Sequence, residues 1–210
     1  MDLYFSPLAC SMATRIALYE AGADARYIYR DRAKRLPDGA DFLQINPLGM
    51  VPTLRTDDGD LLTENAAILQ YVAERFPGAH LAPASGIERA RLQQWLCFVG
   101  TELHKGIFMP LLDSKAPPDA KAYAAGLADS RFALLENHLA GREFLLDAFS
   151  VADAYLCTVL NWTRAVPIDL SRWPAVKDYH ARMRKRPSIA HAWAEEAAMY
   201  AEEQERAKAA

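Results

Sequence analysis

Cysteine is scarce in this 210-residue sequence: Cys10, Cys97 and Cys157 are odd in number and far apart. That argues against a disulfide-stapled fold and for a reduced, cytoplasmic protein. No cluster of Cys and His has zinc-like spacing, so no metal is expected. Long apolar runs are missing too, and Asp2 follows the first residue with no apolar stretch behind a basic start. Neither a membrane span nor a secretory signal is therefore expected. An excess of basic charge is also lacking, since the formal net charge is -3 and the pI near 6.0, which argues against a nucleic-acid surface. A small exception, the Lys/Arg-rich piece Arg182 to Arg186, runs directly into Pro187 and reads as a solvated helix end. There is no low-complexity tract and no repeat of fixed period.

What remains is globular. With 51% hydrophobic and 24% charged residues the chain can bury a substantial core, in one domain or two small ones. Leu3-Tyr4-Phe5 reads as a short strand that breaks at Ser6-Pro7. From Met12 on, Ile16 and Tyr19 recur at roughly helical spacing until Ala21-Gly22. Cys10 and Ser11 thus stand where a strand ends and a helix begins. Unpaired N–H groups there favour an anion, so Cys10 reads either as an activated thiol or as a small buried hydrophobe.

Ala25 to Tyr29 reads as a second strand, followed by a polar loop that carries Lys34 and Arg35. Asp41 to Ile45 is at most a short helix, stopped by Asn46-Pro47. In Leu48-Gly49-Met50-Val51-Pro52-Thr53-Leu54 the proline belongs at a strand edge or in a special turn. Asp58-Gly59 predicts a hairpin between Thr53–Thr56 and Leu61–Thr63. Directly behind it, Glu64-Asn65 precedes a clear helix. Such a start is either an ordinary cap or a seat for a carboxylate or phosphate.

Beyond the Pro- and Gly-rich stretch 77–86 the strand signals almost vanish. Helices are expected over 87–112, 120–139, 151–166, 173–186 and 188–206. The chain therefore divides into a mixed α/β domain over 1–77, a linker over 78–86 and an all-α domain over 87–210. Ser150-Val151-Ala152-Asp153 fits a capping box, which makes Asp153 a helix-starting carboxylate rather than a catalyst. His104-Lys105 follows the apolar Trp95-Leu96-Cys97-Phe98-Val99 and could favour an anion or a sulfur. No Cys-x-x-Cys pair exists, so redox chemistry at Cys10 would run through a mixed disulfide with an outside thiol.

Five segments in register, 6–11, 46–52, 63–68, 102–106 and 150–155, resemble bacterial glutathione S-transferases, the last two pointing to the beta class. The resemblance covers essentially the whole chain. It implies a thioredoxin-like domain followed by an all-helical domain, and a cytoplasmic homodimer with detoxifying transferase activity. Glutathione would be the co-substrate, and neither metal, membrane nor nucleic acid would be involved. It further implies a cis Pro52, with the Val51 backbone pairing to the cysteinyl part of glutathione. Glu64 and Asn65 would hold the γ-glutamyl end, and Lys34 or Arg35 the glycine carboxylate. Cys10, Ser11, His104 and Lys105 would attend the sulfur, and Leu8, Phe108, Met109 and Trp162 would line an apolar electrophile pocket.

Three positions depart from the family's pattern. Leu8 stands where Gly is common, Asn65 where Ser or Gly is usual, and Cys97 where Asn is frequent. The activity implied is conjugation of the glutathione thiolate to apolar or aromatic electrophiles. Two alternatives keep the fold: a glutathione-dependent reductase or reductive dehalogenase acting through a Cys10 mixed disulfide, and a non-catalytic transferase-like interaction protein.

Overall fold

The computed structural model describes residues 1–209, which form two compact units. The first comprises Met1–Ala79 and the C-terminal helix α8 (Pro187–Ala209); the second comprises His80–Arg186.

In the first unit β1 (Asp2–Phe5), α1 (Ser11–Glu20) and β2 (Arg26–Tyr29) form a parallel crossover, with Leu3 opposite Tyr27. A helix is the usual way to return a chain for parallel pairing. β3 (Thr53–Arg55) lies antiparallel to β1, and β4 (Leu61–Thr63) antiparallel to β3, giving the order β2-β1-β3-β4. The hairpin closes at Gly59, whose φ of 92° suits a residue without Cβ. β1 is central and buried at every position. α2 (Asn65–Arg75) follows β4 immediately.

Between β2 and β3 a single 3₁₀ turn, Phe42–Gln44, replaces the short helix that the sequence allowed. Asp41 caps it, and Phe42 is fully buried with its ring 5.5 Å from that of Tyr4. α1 is buried from Ser11 to Leu18 because it packs against both α2 and α8. Sequence alone assigns 87–210, and α8 with it, to the helical domain. In the structure Tyr29 Oη donates to Glu203 (2.8 Å) and Ser188 Oγ to Glu20, which holds α8 on the first unit.

The second unit is helical. α3 (Gly86–Phe98) continues through a π-helical stretch, Val99–Phe108, into α4 (Met109–Leu112). α5 (Pro118–Leu139), α6 (Val151–Leu160) and α7 (Pro174–Met183) follow. Pro opens α5, α7 and α8, a position where its missing N–H costs nothing. Every residue of α6 is buried, as its nearly unbroken apolar sequence requires. Its start carries the full capping box between Ser150 and Asp153.

Candidate active site

The turn from β1 to α1 positions the thiol. Leu8 adopts φ 58°, an uncommon conformation for a side-chain-bearing residue, and α1 begins at Ser11 with Cys10 as its N-cap. Cys10 is half-buried, and its Sγ donates to the Val51 carbonyl at 3.0 Å. The neighbouring hydroxyl has a different task. Ser11 is fully buried, with its Oγ accepting from Ser6 N and donating to Ser6 O, each at 3.3 Å. It closes the turn and presents no free hydroxyl. Tyr4 is buried against Phe42, and burial raises its pKa.

Val51 is joined to Pro52 by a cis bond at the entry to β3. Beside it Gly49 has φ 63°, and the Lys34 side chain crosses so closely that a Cβ on Gly49 would lie 2.6 Å from Lys34 Nζ. Lys34 is thus laid over the segment leading to Val51. Arg35 is exposed, its backbone bridged to Asp41 and its N–H bonded to Asp31 Oδ1. Glu64, exposed and at φ 65°, forms the N-cap of α2. Asn65 is 5% exposed; its Nδ2 donates to the Cys10 carbonyl (2.8 Å) and its Oδ1 accepts from Thr14 Oγ1 (3.1 Å). Cys10, Val51 and Asn65 are therefore directly linked, and Glu64 stands next to them at the start of α2.

Sequence reasoning missed the support beneath this cluster. Arg15 is buried between the rings of Phe5 (4.1 Å) and Tyr27 (4.5 Å). Glu196 of α8 is fully buried and accepts from the Leu8 N–H at 2.7 Å, with its other oxygen 3.5 Å from Arg15 Nε. Burial pushes its carboxyl up to about 7, against the opposing influence of Arg15 and the Leu8 N–H. Ser6 Oγ also donates to the Arg30 carbonyl at 2.7 Å. A Glu in a Glu-rich helix reads as solvent-facing, so nothing local marks Glu196.

In the second unit His104 and Lys105 lie on the π-helical stretch, a wide-turn geometry often found at functional sites. His104 is 5% exposed, its Nδ1 is 2.7 Å from Tyr155 Oη, and its ring is 4.9 Å from that of Trp162. Burial and then the adjacent Lys105 lower its pKa to about 4. It is a neutral imidazole at ordinary pH, not a cation. Lys105 is exposed. Phe108 is fully buried between Phe132 and Trp162, so it backs any apolar surface there, whereas Met109 is exposed and Trp162 half-buried. Leu8 is half-buried in the first unit. Cys97 is exposed; Cys157 is buried, its thiol pushed up to about 12. Among the described residues no group of three or more His, Cys, Asp or Glu could hold a metal ion.

A β-α-β crossover joined to a β-hairpin and helix, with a thiol at the start of α1, defines a thioredoxin-like domain, here followed by a helical unit. Residues 9–75 match the N-terminal domain of glutathione S-transferases, and residues 94–187 match their C-terminal domain. The chain is 38% identical over 192 residues to the glutathione S-transferase GstA of Escherichia coli O157:H7, an alignment covering 90% of this chain and 95% of GstA. A sphingomonad glutathione S-transferase complexed with glutathione is 43% identical with a TM-score of 0.89, covering 94% of this chain and 99% of that one. A beta-class enzyme from Sphingomonas chungbukensis is 41% identical with a TM-score of 0.88, covering 93% and 98%. The chain belongs to the glutathione S-transferase family.

Proposed function

We propose that this protein conjugates the glutathione thiolate to apolar or aromatic electrophiles. The observation that carries the reading is the convergence of the Cys10 thiol, the Val51 carbonyl beside Pro52 and the start of α2 in one cluster. An extended peptide can pair with the Val51 backbone while a carboxylate meets the N–H groups at the start of α2 beside Glu64. Lys34 supplies charge for the glycine carboxylate, with Arg35 the alternative. The family resemblance assigns the electrophile to Met109 and Trp162, backed by Phe108, on the second unit and to Leu8 on the first. Catalysis needs only a deprotonated, oriented sulfur and a nearby electrophile. The family resemblance assigns His104 and Lys105 of the second unit as donors to that sulfur, and His104 would act through a neutral ring.

The setting is a cytoplasmic homodimer, as the small, odd number of widely spaced cysteines and the family resemblance suggest. No helix among the described residues is long and apolar enough to cross a membrane. Light scattering at micromolar concentration should report a dimer, and a monomer would remove that part of the reading.

The test is a panel of aryl halides, epoxides and chlorinated aromatics assayed with glutathione. Turnover with at least one is expected. Binding of immobilised glutathione without any turnover would favour the interaction-protein reading, and failure to bind glutathione at all would favour it more strongly. Cys10→Ala addresses the second enzymatic reading, which the half-buried thiol at the start of α1 supports. In a reductase the glutathione and Cys10 sulfurs form a disulfide as a substrate is reduced. Such activity vanishes in Cys10→Ala, whereas conjugation survives in part.

A further inference from the structure

Asn65 was expected to contact the ligand, but both of its polar ends are engaged inside the protein. Its Nδ2 donates to the Cys10 carbonyl at 2.8 Å, and its Oδ1 accepts from Thr14 Oγ1 at 3.1 Å. Thr14 is fully buried on α1, and Asn65 is 5% exposed. The same Cys10 carbonyl accepts from Ala13 N at 3.1 Å in the first turn of α1. The Cys10 thiol meanwhile donates to Val51 O at 3.0 Å. Cys10 is therefore fixed from two directions, its main chain by α2 and its sulfur by the segment before β3.

The residue type matters. A side-chain amide presents a donor and an acceptor at once. Asp would place an oxygen against the Cys10 carbonyl, Gly has no side chain, and Ser has one short hydroxyl with which to reach both partners.

We propose that Asn65 is a positioning residue for Cys10, locking the thiol to the anion-accepting start of α2 rather than touching the ligand with its side chain. The proposal rests on the reading that Cys10 and the start of α2 share one glutathione site. Without the Asn65 bond the Cys10 backbone loosens, the thiol loses its fixed alignment on Val51 O, and the thiol becomes more available to outside electrophiles. Glutathione then meets a floor no longer registered with the helix start that holds its γ-glutamyl end.

The experiment uses Cys97→Ser as the parent, because Cys97 is exposed and would react, whereas Cys157 is fully buried. Asn65→Ala, Asn65→Asp and Thr14→Val are built on it. Iodoacetamide alkylation of Cys10 is followed by mass spectrometry from about pH 6 to pH 10, and KM and kcat for glutathione are measured separately. For Asn65→Ala the alkylation rate should rise about fivefold, and the midpoint of its pH profile should shift. Asn65→Asp should do the same, Thr14→Val less, and KM for glutathione should rise with kcat less affected. An alkylation profile for Asn65→Ala superimposed on the parent's overturns the proposal, even if KM rises, since that pattern marks a ligand contact. Should Asn65→Ala not fold, an unshifted Thr14→Val profile overturns it equally. A shifted profile in a protein that neither binds nor turns over glutathione supports the positioning role and sinks the glutathione reading instead.

Discussion

Gly49 has φ 63°, and a Cβ there would lie 2.6–2.7 Å from Lys34 Nζ, Cδ and Cε. Gly49→Ala therefore combines left-handed backbone strain with displacement of the Lys34 side chain. The strain costs about 1 kcal/mol, measurable by denaturant unfolding. If Lys34 meets the glycine carboxylate, KM for glutathione should also rise severalfold in Gly49→Ala, and Lys34→Ala should raise it similarly. The double variant should then be no worse in KM than Lys34→Ala alone, because both changes remove one contact. Additive effects would show that Lys34 is not the group Gly49 makes room for. At this scale much was legible from sequence: Cys10 at a helix start, Pro52 at a strand edge or special turn, Glu64-Asn65 at the beginning of a helix. Side-chain direction was not. Asn65 turning inward to Cys10 and Ser11 turning back to Ser6 depend on contacts across 55 and 5 residues that no local pattern encodes.

Among the elements, α6 shows how far a motif reaches. Ser150-x-x-Asp153 announced its start, and Asp153 does accept from Ser150 N and Oγ, each at 2.9 Å. The same buried carboxylate also accepts from Leu145 N and from Tyr179 Oη, both at 2.9 Å. It thereby ties the segment before α6 and the middle of α7 to one helix start. Asp153→Ala strands these donors and should cost about 3–5 kcal/mol in urea unfolding, whereas Tyr179→Phe should cost about 1–2 kcal/mol. Glutathione affinity per folded molecule should stay unchanged in Tyr179→Phe. A loss of affinity without a loss of stability would contradict the structural role of this carboxylate. The apolar periodicity placed these helix starts at 120, 173 and 188, within two residues of the prolines at 118, 174 and 187 that open the helices. The π-helical run Val99–Phe108 was not, since its residues keep an ordinary helical pattern.

Across the whole molecule, three buried groups with strongly displaced pKa values contribute to the response of stability to acid between pH 7 and 5. Burial lowers His104 and His180 to about 4, His180 Nε2 being 2.9 Å from Asn161 Oδ1. Both protonate near 6.5 once unfolded, so between pH 6.5 and 4 the unfolded chain binds more protons and stability falls with pH. Glu196 acts in the opposite sense. Raised to about 7 in the fold and ordinary when unfolded, it binds more protons in the folded state between about pH 4.5 and 7. Its contribution is fully present below the unfolded value and is lost as pH rises through 7. The charged groups around it are Arg15 of α1, 3.5 Å away, and Glu195 beside it on α8. From pH 7 to 5 each of the three groups changes stability by about 2 kcal/mol, the two histidines downward and Glu196 upward. The parent should therefore lose about 2 kcal/mol over that interval through these groups. Glu196→Gln cannot titrate, so it should lose about twice as much, whatever its starting stability. Urea unfolding of both proteins at pH 7 and pH 5 decides the matter. Parallel losses would mean that Glu196 keeps one protonation state throughout, and a shallower loss in Glu196→Gln would reverse the sign argued for this carboxyl.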